Sequence, residues 1–196
     1  MRRLFPLLLA SCVLAVSGAH ASDAAVKDAA EGFRFGDLKR VNAAIAQARG
    51  HVLEHYVEYW SLRLQLTPTA ASALAPELDR FVKKNAGSAI GERLRVDWLK
   101  VLGRNGDWDK FAQVADGLDS DDSEIGCYRA TLATRGTRSD KQPQIPSGVW
   151  DERLTDACAE AFAALTRAGH ISAEDALWRF RTAGDGATFL AATRAA

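Results

Sequence analysis

The fold of this chain is decided by residues 91–118, GERLRVDWLKVLGRNGDWDKFAQVADGL. Apolar residues recur in the first half at helical spacing and predict a helix with one apolar stripe, formed by Leu94, Trp98, Val101 and Leu102. Gly103 and Gly106 are typical of a helix end, and Asp107 is placed to cap a second helix. The joint is short, so the stretch predicts an antiparallel helical hairpin.

Similar helical segments, separated by short breakers, fill most of the chain. We expect them at about 36–49, 51–66, 67–84, 127–133 and 155–168, with another after Ser172. Thr67 and Pro68 are typical first-turn residues, and Ser172 with Asp175 is close to a capping box. Residues 134–148 are polar and contain proline, which predicts an irregular loop. Helix pairs recur without a strict period, so we expect an all-α fold, an irregular superhelix or solenoid of helical hairpins.

The first 21 residues, MRRLFPLLLASCVLAVSGAHA, have the organisation of a secretory signal peptide. Two arginines precede an apolar stretch at 4–16, and the segment ends in small-x-small. The motif LASC at 9–12 resembles a lipobox, which would make Cys12 a lipid anchor. The apolar stretch before it is very short, so cleavage after Ala21 is favoured, leaving residues 22–196 as one exported domain.

The charge of the remaining 175 residues is close to balanced. Arg2 and Arg3 are the signal-segment members of the 25 basic residues, so 23 basic residues face 25 acidic ones after cleavage. Nucleic-acid binders concentrate positive charge to release counterions, so this balance argues against a nucleic-acid partner. No later segment is apolar enough to predict stable insertion in a membrane.

Two cysteines, Cys127 and Cys158, remain after the signal segment. An even number of cysteines in an exported protein favours a disulfide, because oxidising compartments allow it to persist. The alternative is two separately buried thiols, a common environment for free cysteine. A bridge over a loop of about 30 residues would stabilise the fold by roughly 3 to 4 kcal/mol.

The stretch HVLEH at 51–55 matches the inverted zinc-peptidase pattern H-x-x-E-H. On a helix His51 and His55 would share one face, and Glu54 would activate a bound water. No third ligand is indicated downstream, so the zinc interpretation is incomplete. The competing interpretation is an apolar helical stripe, made by Leu53, Tyr56, Val57, Trp60 and Leu64.

Several ordered blocks resemble the N-terminal superhelical (U-shaped) region of the soluble lytic murein transglycosylases of bacteria. Residues 51–62 read H-x-L-x-x-Y-x-x-Y-W-x-L, and residues 93–111 read R-L-x-x-x-W-L-x-x-L-G-x-x-G-D-W-x-x-F, the most specific block. Residues 127–132 read C-Y-x-x-x-L. Trp150 is followed by D-A-C-x-x-x-F at 156–162, and G-x-I-S at 169–172 by R-x-R at 179–181. The resemblance covers residues 33–196.

The resemblance implies a periplasmic role in peptidoglycan (murein) turnover. Members of the family cleave glycan strands without water and leave 1,6-anhydromuramoyl ends, with the catalytic glutamate in a separate C-terminal lysozyme-like domain. Its E-S and G-L-M-Q motifs do not occur in this sequence. We therefore assign no catalytic, cofactor-binding or metal-ligating residue, and expect the chain to be inactive alone, with glycan strands and an absent catalytic domain as partners.

The remaining candidates for chemistry have structural interpretations. An intrinsic glycosidase would need a carboxyl group with a raised pKa in a cleft, but the candidate glutamates lie among charges typical of solvated helix faces: Glu92, Glu124, Glu152, Glu160 and Glu174. Four tryptophans fall on apolar stripes and are expected in the core: Trp60, Trp98, Trp108 and Trp178. Trp150 lies beside the polar loop and is the least constrained.

Two functions stay open from the sequence. The first is a region that holds and orients glycan strands for a lytic transglycosylase-type protein, because solenoids expose extended concave surfaces. The second is a stand-alone, non-enzymatic solenoid that binds a protein or peptidoglycan partner in the bacterial envelope.

Overall fold

A computed structural model describes residues 22–136, 143–151 and 153–182, which contain helices and no strand. The α-helices are α1 (Asp23–Arg34), α2 (Leu38–Ile45), α3 (Glu54–Gln65), α4 (Ala71–Lys84), α5 (Ala89–Asn105), α6 (Trp108–Ala115), α7 (Ser123–Arg135), α8 (Asp156–Arg167) and α9 (Ala173–Thr182), with a 3-10 turn at Ser147–Trp150 between α7 and α8. The all-α class is thus confirmed for these residues, whereas the superhelical arrangement stays a prediction. The signal segment, Cys12 and Glu152 lie outside them.

The chain divides into two compact units at Glu58 and Tyr59, within α3. In the first unit α1 packs against α2. Asp37 caps α2 by accepting the N–H of Arg40 at 3.0 Å. The Arg40 guanidinium then reaches back to α1, with its Nε 2.7 Å from Asp28 and one terminal nitrogen 2.8 Å from Glu31. The N-cap and the cross-helix pairs together hold the hairpin.

Helix α1 is not among the predicted segments, and α2 is shorter than the 36–49 expected. The sequence of α1 does carry a helix signal. Ser22 is a typical N-cap residue and accepts the N–H of Ala25. The residues that are buried recur at helical spacing: Ala25, Val26, Ala29 and Gly32. Small alanine side chains make a weak apolar stripe, and the segment directly follows the predicted signal peptide. The amphipathic pattern is therefore easy to overlook.

Helices α3 and α4 both begin about three residues later than predicted. His51 precedes α3, which starts at Glu54, and α4 starts at Ala71 rather than at Pro68. The Thr67 hydroxyl accepts the N–H of Ala70 at 3.2 Å, so it stabilises the turn before α4 instead of capping the helix. The apolar stripe predicted for α3 is partly wrong, since Leu53 and Tyr56 are exposed while Tyr59 is buried.

Helix α5 lies at the centre of the second unit, where it packs against α4, α6 and α7. All four predicted stripe residues are buried. The predicted hairpin with α6 is confirmed: Gly106 takes the left-handed φ of 69° after α5, and the Asp107 carboxylate accepts the N–H of Lys110 at 3.4 Å. Gly103 does not end the helix, which continues to Asn105. Instead it packs against the Tyr128 ring of α7.

The disulfide between Cys127 of α7 and Cys158 of α8 is confirmed, with an S–S distance of 2.05 Å and both residues buried. The disulfide joins the N-terminal halves of the two helices, and a cleft farther along is lined by the last turns of both. Helices α7 and α8 therefore run in the same direction. This pair is not an antiparallel hairpin, and a long connection between them is needed to return the chain to the starting end.

The 3-10 turn between α7 and α8 lies close against the disulfide. A Cβ atom at Gly148, in the 3-10 turn, would lie 2.1 Å from the Ser123 hydroxyl oxygen and 3.0 Å from the Cys158 sulfur. Only glycine permits so close an approach of the backbone. Residues 137–142 of the predicted irregular loop lie outside the described part of the chain.

Helix α9 begins as predicted. The Ser172 hydroxyl accepts the N–H of Asp175 at 3.0 Å and donates to its carboxylate at 2.7 Å. Arg179 on this helix is buried and donates to the carbonyl of Asp151. Within the described ranges, none of the helices has the length and apolar character that crossing a membrane requires.

Candidate functional site

The structure does not provide the helical geometry on which the zinc interpretation depends. His51 lies in the turn before α3, where its Nε2 contacts the Asp23 carboxylate at 2.7 Å and its Nδ1 accepts the N–H of Leu53 at 2.9 Å. The hydrogen bond and charge of the His51 ring lower the pKa of Asp23. Among the residues that the structure describes, no cluster of three or more His, Cys, Asp or Glu side chains is arranged to hold a metal ion.

The candidate site is a cleft of about 390 Å³ beside α5, which we call the α5 cleft. One wall is the face of α5 opposite its buried stripe, and the other is the connection between α6 and α7. Its lining consists of Ala89, Glu92, Arg93, Val96, Asp97 and Lys100 on α5, and of residues 118–122. Spacings of three and four residues place the α5 members on one helical face, and the lining carries charges of both signs.

One end of the α5 cleft is closed by a charged network. The Lys100 ammonium lies 2.6 Å from the Asp122 carboxylate and 3.5 Å from Glu124. Glu124 also accepts from Arg104 at 2.9 Å and from the Tyr128 hydroxyl at 3.3 Å. Burial raises the pKa of Tyr128 to about 12, and the neighbouring Glu124 charge adds to the effect. Tyr128 therefore stays a neutral hydrogen-bond donor at physiological pH.

Asp122 both lines the α5 cleft and precedes the first residue of α7. Its carboxylate accepts the backbone N–H of Glu124 at 3.1 Å and that of Ile125 at 3.2 Å, which makes it the N-cap. Burial alone would raise the pKa of Asp122, but the hydrogen bonds from Lys100 and the two backbone groups outweigh it, and the pKa is lowered. This shift is opposite to the one that a general acid for glycoside cleavage requires.

The lowered pKa of Asp122 predicts how its contribution depends on pH. Because the folded pKa lies below the ordinary value of 3.8, stabilisation by the charge is present above that value and lost as pH falls through the folded pKa. We expect Asp122→Asn, which keeps the cap, to be less stable than the wild type at neutral pH and equal to it in strong acid. Asp122→Ala should lose about 1 kcal/mol more than Asp122→Asn at both pH values.

Urea unfolding of the three proteins, followed at neutral pH and in acid below the folded pKa of Asp122, measures these differences. A deficit of the asparagine variant that stays constant on acidification would show that the carboxylate charge does not stabilise the fold.

The side of the α5 cleft nearer α3 is organised around Asp97. Its carboxylate accepts from the Tyr59 hydroxyl at 3.0 Å and pairs with the Arg63 guanidinium at 3.2 Å. Burial raises the pKa of Tyr59, and the Asp97 charge raises it further. These two contacts hold the Asp97 carboxylate in place on α5. A hydrogen-bond acceptor held in this way can select one orientation of a ligand.

The residues named in the sequence as candidates for chemistry are scattered. Glu92 lines the α5 cleft and Glu124 belongs to the charged network at its end, whereas Glu160 and Glu174 lie on α8 and α9. Asp97 and Lys100 were not singled out from the sequence. Their signal was the row of polar residues at three- and four-residue spacing opposite the apolar stripe, visible only once that stripe is assigned to the core.

The tryptophans follow the prediction only in part. Trp98 is 1% exposed, and Trp60 and Trp108 are partly buried against the core. Trp178 is 60% exposed, so its expected core position is wrong. Trp150, expected to be the least constrained, is 37% exposed and makes an edge contact with the ring of Phe162.

Comparison with protein-family models, curated proteins and solved structures gives no match to this chain. The resemblance to the transglycosylase superhelix therefore rests on the sequence blocks alone.

Proposed function

We propose that this chain is the glycan-positioning scaffold of a periplasmic lytic murein transglycosylase-type protein. The observation that carries the proposal is the position of Arg93. It opens the most specific resemblance block, and its exposed side chain lines the α5 cleft. Arg93 is thus a block residue placed to contact a ligand rather than to hold the fold.

The other residues of that block have structural roles that explain their identities. Five form the buried core: Leu94, Trp98, Leu99, Leu102 and Phe111. Gly103 allows contact with Tyr128, while Gly106 and Asp107 make the turn into α6. Trp108 packs its ring near those of Phe111 and Tyr128 at centroid distances of 6.0 and 6.2 Å. The residues of the block therefore form one packed unit, and this supports the proposed superhelical scaffold.

The chemistry of the α5 cleft suits a glycan. Sugar hydroxyls and acetamido groups both donate and accept hydrogen bonds, so a complementary surface needs fixed acceptors and donors side by side. The cleft offers the Asp97 and Glu92 carboxylates as acceptors and the Arg93 guanidinium as a donor. Its volume of about 390 Å³ is in the range of small-ligand sites, enough for one or two sugar rings of a longer strand.

Export of the chain belongs to the same proposal. A disulfide of this kind persists in oxidising compartments such as the bacterial periplasm, where peptidoglycan is found. The predicted signal peptide supports the same location. The scaffold itself is expected to release no anhydromuramoyl product, because the resemblance assigns that reaction to a separate domain.

The proposal predicts that the purified chain binds glycan strands and that Arg93→Gln weakens this binding about fivefold or more. That factor corresponds to the loss of a hydrogen bond worth about 1 kcal/mol. Binding to strands freed of peptide is measured by calorimetry. Arg80→Gln is the matched control, since Arg80 is an exposed arginine on α4 outside the cleft lining, and it should bind like the wild type. Equal weakening by both variants would assign the effect to net charge and reject the cleft.

The stand-alone envelope binding module remains the alternative function. An antibody against residues 22–196, used on a native envelope extract, separates the two. A band much larger than this chain supports a scaffold within a transglycosylase. A band of about 175 residues, together with failure to bind glycan strands, supports the independent module.

A further inference from the structure

A second cleft, of about 350 Å³, lies between the parallel helices α7 and α8 at their C-terminal ends. We call it the α7–α8 cleft. Its polar lining consists of Thr131, Thr134 and Arg135 from α7 and Glu160 and Arg167 from α8, with Ala164 and Ala168 as the small residues between them. It shares no residue with the α5 cleft.

Thr131 in this cleft has a buried hydroxyl without a hydrogen-bond partner in the described part of the chain. The residue is 2% exposed, and its carbonyl, not its hydroxyl, accepts from Thr134 at 2.7 Å. Most buried polar side-chain atoms are paired, because an unpaired atom loses its hydrogen bonds to water and gains none in return. An unpaired hydroxyl that lines a cleft therefore indicates a group that a ligand satisfies.

The charges around Thr131 indicate the chemistry of that ligand. Arg135 and Arg167 make no ion pair with any residue of the described ranges, and neither does Glu160. The Arg135 guanidinium lies 5.2 Å from the centroid of the Trp108 ring, a contact that restricts its orientation. The exposed side chains of Arg135, Arg167 and Glu160 thus supply two donors and one acceptor to the lining of this cleft.

The position of Arg135 and Arg167 in the last turns of α7 and α8 explains part of their presence here. Cations in the last turn of a helix interact favourably with its dipole. A guanidinium that binds a carboxylate is stabilised more strongly, because it forms charged hydrogen bonds. Glu160 lines the cleft beside the two arginines, so the cleft suits a ligand that carries a carboxylate and an N–H group together rather than a simple anion.

We infer that the α7–α8 cleft binds the carboxylate-bearing end of a peptide, with the carboxylate on Arg135 and Arg167, a further oxygen on the Thr131 hydroxyl and an N–H on Glu160. Resting on the proposed function, this peptide is the stem peptide that peptidoglycan carries on its glycan strands. The scaffold then recognises the sugar chain and its peptide at separate places.

The test compares three probes by calorimetry: a disaccharide that carries its stem peptide, the same disaccharide without peptide, and the free stem peptide. We expect the peptide-bearing disaccharide to bind at least about fivefold tighter than the bare one. Arg167→Gln should weaken binding of the peptide-bearing probe about tenfold and leave the bare disaccharide unaffected. Arg80→Gln again controls for net charge.

Thr131→Val distinguishes ligand contact from a structural role. Valine has nearly the same volume and removes an unpaired hydroxyl, so the free protein should be as stable as the wild type or more so. Affinity for the peptide-bearing probe should nevertheless fall about fivefold. Lower stability with unchanged affinity would make Thr131 a structural residue and overturn the inference.

The outcomes separate this inference from the proposed function. If peptide-free strands bind but the stem peptide adds nothing, the inference fails and the glycan scaffold stands. If the strands do not bind but the free stem peptide does, and if Arg167→Gln weakens binding of that peptide, the inference about the α7–α8 cleft stands and the proposed glycan function fails. Equal binding of an unrelated peptide with a free C-terminus would assign the cleft to a protein partner and overturn the stem-peptide assignment.

Discussion

Replacing Cys127 and Cys158 together by alanine is expected to lower the free energy of unfolding of the second unit by about 3 to 4 kcal/mol. The disulfide closes a loop with a sequence separation of 31 residues, and a closed loop of this length restricts the unfolded chain by about that amount. It also joins two parallel helices whose connection is long, so few other constraints limit their separation in the unfolded state.

Tryptophan fluorescence during chemical unfolding measures this loss, because all five tryptophans lie between residues 60 and 178 and hence in the second unit. Replacing both cysteines avoids a leftover thiol that forms disulfides between molecules. The wild type unfolded in the presence of a reductant is the control and should approach the stability of the variant. A difference below about 1 kcal/mol would mean that the bridge contributes little beyond its two buried side chains.

Gly103→Ala is expected to destabilise the protein by about 1 to 3 kcal/mol, although alanine is the better helix former by about 1 kcal/mol. The added Cβ would lie 2.5 Å from two atoms of the Tyr128 ring. That ring cannot easily move, because its centroid lies 6.0 Å from that of Phe111 and its hydroxyl donates to Glu124. Overpacking therefore exceeds the gain in helix propensity.

A double-mutant cycle tests this cause. In a Tyr128→Ala background the Cβ atom has space, so Gly103→Ala should become neutral or stabilising. Gly126→Ala is the matched control inside α7, where a Cβ would make an ordinary contact of 3.4 Å with Pro146, and it should be neutral or stabilising in the wild type. Equal loss from Gly103→Ala in both backgrounds would show that the Tyr128 ring is not the reason for glycine.

Much of the second unit was predictable because its signals are local. The α5–α6 hairpin follows from an apolar stripe, a left-handed Gly106 and the capping residue Asp107, all within residues 94–111. Capping by Ser172 is equally local. The disulfide was favoured by the even number of cysteines after the predicted signal segment, since two cysteines leave one possible pairing.

The errors in the prediction have a common origin. Periodicity places Tyr56 and Trp178 on apolar stripes, but a stripe is buried only where a neighbouring element covers it, and both side chains are exposed. The pattern H-x-x-E-H likewise presupposes a helix that begins at His51, whereas α3 begins at Glu54. In both cases a helical spacing was interpreted without knowing where the helix starts or what packs against it.

The sequence by itself determined the all-α class, the α5–α6 hairpin and the cysteine pair, because caps, turns and helical periodicity depend on residues close together in the chain. The tertiary structure alone decided that α7 and α8 run parallel, that Gly103 meets Tyr128, and that two separate clefts form beside α5 and between α7 and α8. These features depend on which faces of distant helices meet, and helix packing selects those faces by fitting whole surfaces together.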